Sequence, residues 1–278
     1  MQAPFLIAAH RAIYERLAPS DRLSDDGIEI APGQLRDQEV QVSRHIPPRA
    51  SSLPRFLQRM DQRYGAAGDW ASVLIVAACV HHRAAWVHPF LDGNGRATRL
   101  QSQCALSGLS EGLWSPSRGF ARSVQTYYTA LHNADQPSQG HYDGRGPLSE
   151  RGLLEWIQYF LGVCEDQASF MAKMLDLTGV QQRIDALMVL RQARKYRREA
   201  VLPLFHMFAL GPITRGEFAQ MTGLGERTAR TLMARLLEDG LLVSDSRVGR
   251  LRFGLPLDAL NTLFPNLYPE VSLPIEAR

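Results

Sequence analysis

One stretch limits what this chain can fold into more than any other. The run Trp70–Val87, WASVLIVAACVHHRAAWV, is apolar nearly all round a helical circumference, with Asp69 placed to cap its start. A helix without a polar face must be enclosed by other elements, so the run predicts a central helix of a bundle. It leads directly into HPFLDGNGRATR, residues 88–99. There Pro89, Gly93 and Gly95 interrupt the helix, and a second helix is predicted from about Asn94.

The remainder of the first 200 residues reads as further helices. Apolar spacing predicts them at 3–17 (stopped by Pro19), 53–64, about 120–133, 149–175 and 180–196. Residues 31–48, APGQLRDQEVQVSRHIPP, differ. Val40 and Val42 alternate with polar residues between Pro-Gly and Pro47-Pro48, which predicts a short β-hairpin or extended flap. From about residue 198 the pattern changes to three short helices joined by glycine-containing turns, then two alternating runs around a polar turn. That is the order of a winged helix-turn-helix. The fold class is therefore mainly α.

Composition narrows the classes. The chain has 278 residues, 45% hydrophobic and 21% charged, with a net charge of +3. That is ordinary globular composition, long enough for two domains. From residue 181 onward there are 14 Lys and Arg against 10 Asp and Glu, so the basic excess lies in the C-terminal third. Cys79, Cys104 and Cys164 are too widely spaced for a disulfide framework or a paired-cysteine metal site. They are expected as buried, reduced thiols in a cytoplasmic protein. No secretory leader and no membrane span are expected.

Residues 88–99 concentrate the reactive groups. Gly93 and Gly95 flank Asn94 where a helix starts, and the free N–H groups of a helix N-terminus suit an anion. Arg96 and Arg99 follow on one face of the first turn, two guanidinium groups fitted to a polyphosphate. Asp92 offers a hard oxygen to Mg²⁺. His88 supplies a base of suitable pKa, and Phe90 an apolar anchor for the loop. Together these groups point to phosphoryl or nucleotidyl transfer.

HPFLDGNGRATR resembles the motif of the Fic family, H-x-F-x-[DE]-G-N-G-R-x-x-R, at every fixed position. The upstream APGQLR…VQV…PP stretch is similar to that family's flap. The resemblance covers about residues 1–178, with a linker helix at 179–199, a winged helix-turn-helix at 200–268 and a tail at 269–278. It implies a Fic-type helical bundle and an enzyme that transfers AMP from ATP to a Ser, Thr or Tyr hydroxyl of a target protein, or of itself. His88 would be the general base and Asp92 the Mg²⁺ ligand. Gly93, Asn94 and Gly95 would line the α- and β-phosphates, with Arg96 on the phosphates and Arg99 at the γ-phosphate. The flap, through Val40 and Val42, would add a strand of the target protein. The family's kinase-like branch carries Lys where this chain has Gly95, which favours AMP transfer. UMP, GMP or another donor remains open.

Many Fic proteins carry an inhibitory helix, [ST]-x-x-x-E-[GN]. The formal match here, Ser107–Gly112, contains glycine and lies directly after the motif helix; Ser272…Glu276 has only the spacing. An inhibitory partner protein is one alternative. In the C-terminal module Thr214 and Glu217 form a predicted capping box. Arg227, Arg230 and Arg235 mark the helix that would enter a major groove, and Arg247, Arg250 and Arg252 the wing. Such a module serves DNA contact, protein contact or a homodimer, and the sequence alone keeps a nucleotide-sensing DNA-binding regulator as the alternative to an enzyme. The basic run Arg191–Arg198 reads as a solvated helix face. Of Tyr127, Tyr128 and Tyr142, candidates for an adenine pocket, only one of the adjacent pair can point inward.

Overall fold

A computed structural model describes residues 2–24, 26–42, 45–65, 68–144, 146–191 and 196–267. It is mainly helical with one small antiparallel sheet. The chain divides into two compact units, residues 1–171 and 172–278.

The first unit is built on α1 (Ala3–Tyr14), α2 (Leu53–Tyr64), α3 (Trp70–Val87) and α4 (Asn94–Ala105). Asp69 caps α3 by accepting the Ser72 N–H at 2.8 Å. The all-round apolar character of α3 is explained by two cores on its opposite sides. Val80, Ala84 and Val87 pack with α1 and α2 residues such as Leu6 and Leu57. Ala77 and Ala78 pack with Phe120, Trp156 and Phe160. Those aromatics come from α6 (Pro116–Arg122) and α8 (Glu150–Met174), with α7 (Val124–Ala134) between them in sequence. The Trp156 indole N–H donates to the Ala78 carbonyl at 2.8 Å, tying α8 to α3. A one-turn helix, α5 (Ser107–Ser110), follows α4.

The structure corrects several expectations. Of the two forms expected for the flap, the described residues show the extended one, with a single antiparallel bridge between Val42 and His45; residues 43–44 lie outside the described set. The next rung would need an N–H from Pro47, which has none, and the Gln38 and Pro48 carbonyls are already taken by Arg36. The single helix expected at 120–133 is two, because Ser123 leaves helical geometry at φ −143°, ψ 65°. The supposed linker helix is α9 (Leu177–Leu190), and it buries Val180, Ile184, Leu187 and Met188 in the core of the second unit. Residues 192–195 of the basic run are outside the described set, but its ends are ion-paired: Arg191 with Asp258 at 2.8 Å and Arg198 with Asp185 at 2.6 Å. Cys164 alone is buried; Cys79 is half-buried and Cys104 exposed. Contrary to the expectation of no candidate span, α3 is long and apolar enough to cross a membrane. Its seven buried residues and its two cores account for that composition within the bundle.

The second unit continues with α10 (Val201–Leu210), α11 (Arg215–Thr222), α12 (Glu226–Glu238), the strands β1 (Leu242–Val243) and β2 (Arg252–Phe253), and α13 (Leu257–Leu263). β1 and β2 are antiparallel, and Ile213 adds a bridge to Leu251. The capping box at Thr214 is present in both directions, Thr214 N–H to Glu217 and Glu217 N–H to Thr214. The expected tail, including Ser272…Glu276, lies outside the described residues.

Candidate active site

The turn between α3 and α4 is fixed at both ends by left-handed residues. His88 caps α3 at φ 50°, ψ 61°, with its N–H on the Ala84 carbonyl at 3.1 Å. Gly93 caps the start of α4 at φ 75°. A Cβ on Gly93 would stand 2.4 Å from the Tyr14 ring, so both the backbone angle and the space demand glycine there. Asn94, the first residue of α4, clamps the turn. Its carbonyl oxygen accepts the Phe90 N–H at 2.9 Å and its amide donates to the Phe90 carbonyl at 2.7 Å. Phe90 itself is fully buried and stacks on His10 at 3.9 Å. The Asn94 side chain is thus occupied within the loop, and its contribution to an anion site is its backbone N–H. As at any helix start, the first N–H groups of α4 lack intrahelical acceptors.

His88 is held neutral. Burial lowers its pKa to about 4, helped by the charges of His45 and Arg36 and opposed by the Ala85 carbonyl and Asp92. Its Nδ1 lies 3.4 Å from the Ala85 carbonyl, which leaves Nε2 as the basic nitrogen.

Asp92 is surrounded by donors. The Tyr14 hydroxyl donates to its Oδ2 at 2.7 Å, and Arg96 Nη2 bonds both that oxygen, at 2.8 Å, and the Tyr14 oxygen, at 2.7 Å. Burial pushes the carboxyl up, but Tyr14, the Gly93 N–H and Arg96 together hold it below its usual range. Burial and Asp92 push the Tyr14 phenol up. His10 completes the frame. Its Nδ1 accepts the Gly33 N–H at 2.9 Å, so its Nε2–H donates to the Asp92 carbonyl at 3.1 Å. Among the described residues only Nη2 of Arg96 is engaged, which leaves its other donors for an anion.

Arg99 lies one turn further along α4, its guanidinium packed over Gly95. Among the described residues no carboxylate pairs with it; Glu111, in the formal inhibitory match, is exposed at the left-handed end of α5. The Tyr127 hydroxyl lies within reach of Arg99, whose charge opposes the upward push of burial on that phenol. Tyr127 is anchored on buried His81. Ser102 Oγ donates to the Thr98 carbonyl and so accepts from His81 Nδ1, leaving His81 Nε2 to accept from Tyr127 at 2.9 Å. Of the tyrosine pair, Tyr127 is therefore the inward one; Tyr128 and Tyr142 are exposed.

Among the described residues no three acidic or imidazole groups gather as a metal cage. The donor set at Asp92 fits Mg²⁺ all the same, since that ion is ordinarily held by one or two carboxylates with substrate phosphates and water. On the flap Val40 is half-buried and Val42 exposed. In the second unit Arg227 is exposed beside an open cavity of about 1080 Å³, and Arg230 pairs with Glu226 at 2.5 Å.

Of the residues singled out in sequence, His88, Asp92, Gly93, Asn94, Gly95 and Arg96 lie at the turn between α3 and α4, and Arg99 lies one helical turn further along. Sequence reasoning misses His10, Tyr14 and Arg36. The signal for the first two was a polar aromatic pair four residues apart on an apolar helix. A lone arginine such as Arg36 gave none.

Known proteins resemble this chain over part of its length. Residues 2–106 match the Fic/DOC family. The protein adenylyltransferase Fic of Drosophila melanogaster is 36% identical over 74 residues, and that of Drosophila willistoni 35% over the same length. The aligned stretch is 26% of this chain and only 14–15% of those relatives. A crystal structure of a Fic family protein from Desulfovibrio desulfuricans aligns over 89% of this chain and 67% of its own, at 17% identity and a TM-score of 0.45. The matched residues 2–106 include the complete motif at 88–99.

Proposed function

We propose that this chain is a protein adenylyltransferase, moving AMP from ATP to a side-chain hydroxyl of a target protein. The observation that carries the reading is His88: a neutral imidazole fixed by a left-handed cap, one turn of chain before a helix start that bears Asp92, Arg96 and Arg99. The target hydroxyl gives its proton to His88 Nε2 as its oxygen bonds the α-phosphorus. The bond from that phosphorus to the bridging oxygen breaks, and pyrophosphate leaves with the electron pair. The N–H groups at the start of α4 hold the α- and β-phosphates, Arg96 neutralises charge on them, and Arg99 takes the γ-phosphate. Asp92 would hold Mg²⁺, which supplies further neutralisation of the phosphates when bound.

An extended segment of the target would lie along the flap at Val40 and Val42 by strand addition. With no carboxylate paired to Arg99 among the described residues, ATP should bind without an activating mutation, and inhibition would come from a partner that supplies a glutamate. The second unit we read as a contact module in which Arg227 is the arginine of α12 most available to a partner, since Arg230 and Arg235 are ion-paired. Protein or DNA contact and a homodimer all use such a face.

ATP labelled at the α- or γ-phosphate, incubated with the protein and cell lysate, tests the reading. Protein-bound label is expected from the α position only, and none with His88→Ala. Transfer of γ-label would make the enzyme a kinase. Binding without any transfer would make it the nucleotide-sensing regulator, and competition by UTP or GTP would reveal another donor.

A further inference from the structure

Arg36 is 4% exposed, and the end of its side chain is divided among backbone carbonyls. Nε donates to the carbonyl of His88 at 2.8 Å, Nη1 to that of Gln38 at 2.8 Å and Nη2 to that of Pro48 at 2.5 Å. Its own N–H donates to the carbonyl of Pro89 at 2.9 Å. The carboxylate beside it, Glu39, is 3.8 Å away and two-thirds exposed, with its other oxygen taken by the Ala50 N–H. A buried guanidinium facing mainly neutral carbonyls is a costly arrangement to maintain for surface decoration.

The groups these bonds join are informative. Gln38 and Pro48 stand on the two sides of the flap. His88 and Pro89 are the two residues at which α3 stops and the turn begins. His88 is one of three described residues other than glycine with positive φ, a conformation that the surroundings must impose. Among the described residues the flap is held by one bridge, Val42–His45, and by no longer sheet ladder. A planar fork places its donors on three separate nitrogens and so reaches three separated carbonyls, whereas lysine's three donors radiate from a single nitrogen.

We propose that Arg36 is a positioning residue that couples the flap to the general base: it fixes the His88 peptide in its left-handed turn and, through the same guanidinium, sets the flap against which the target segment lies. The flap and the base then form one rigid unit, so the docked target hydroxyl is registered against His88 rather than against the phosphate loop. The proposal rests on the reading of His88 as the base.

The test uses Arg36→Gln and Arg36→Lys in the full chain, with three measurements. Hydrogen–deuterium exchange should rise at residues 34–42 and 45–48 and stay unchanged in α4. Calorimetric affinity for ADP should stay within about threefold of wild type, because the Gly93–Arg99 loop is untouched. The transfer kcat should fall at least tenfold for Arg36→Gln, and by less for Arg36→Lys, which keeps the charge but gathers its donors on one nitrogen. Unchanged kcat, or unchanged exchange at the flap, overturns the proposal. So does a loss of ADP affinity in parallel with kcat, which would mark a merely structural arginine. If Arg36→Gln does not fold, Arg36→Lys decides by the same three measurements. A wild-type protein that binds ADP yet transfers nothing contradicts the adenylyltransferase reading instead, and the exchange data then decide on Arg36 alone.

Discussion

At the scale of residues, the site depends on two positions whose backbone is unusual for opposite reasons. His88 is a side chain held where L-residues are strained, and Gly93 is a position where no side chain fits. Replacing His88 with alanine removes the base and leaves the phosphate loop. Transfer should fall by roughly 10²–10⁴-fold while nucleotide affinity is retained, as kinetics alongside calorimetry would show. Gly93→Ala adds left-handed strain and a 2.4 Å contact with Tyr14. Its cost should be roughly 2–4 kcal/mol of stability, read by denaturant unfolding. Tyr14→Phe keeps the ring that fills the space beside Gly93 and deletes only the hydroxyl. It should therefore raise the Asp92 pKa, followed by carboxyl NMR, while lowering stability by about 1 kcal/mol. The motif residues are legible in sequence because they sit within twelve positions and their chemistry is local. Tyr14 and Arg36 are not, since their partners lie 78 and 52 residues away and only the packed bundle brings them together.

At the scale of elements, capping chemistry carried most of what could be foreseen. Asp69 and the Thr214–Glu217 box start their helices as their side chains predict. Thr214→Ala should cost the second unit about 1 kcal/mol in thermal or denaturant unfolding, leaving nucleotide binding unaffected. The misreadings were of elements whose limits are set by tertiary partners. Alternating valines left a hairpin or an extended flap open, and prolines and the Arg36 carbonyl bonds favour the extended form. A continuous helical period hid the break at Ser123. The basic run after α9 concealed that α9 itself is core, because charge at a helix end says little about the face the preceding turns bury.

At the scale of the whole molecule, the first unit encloses several neutral imidazoles, two of them with pKa values lowered far from the ordinary one. His81 is lowered to about 3 and His88 to about 4, both chiefly by burial. Unfolded, each titrates near 6.5, so between pH 6.5 and 4 the unfolded chain binds more protons than the fold. Stability is therefore full above about pH 6.5 and declines as pH falls through that window. At pH 5 the two groups should remove about 2 kcal/mol each, to order of magnitude. Melting curves at pH 7 and pH 5 would record the loss, and His81→Gln should flatten it. The boundary between the two units, at 171/172, lies earlier than the change of pattern near residue 198 because α9 packs with α10 and α13 in the second core.

The central claim is that the turn between α3 and α4 cradles a nucleotide's phosphates while His88 acts on the bond beside them. Calorimetric titration of a non-hydrolysable ATP analogue with Mg²⁺ into wild type, His88→Ala and Arg96→Ala tests it most directly. The account predicts binding within about threefold for His88→Ala and at least tenfold weaker binding for Arg96→Ala. Equal binding by all three proteins, or loss of binding with His88→Ala alone, would contradict it.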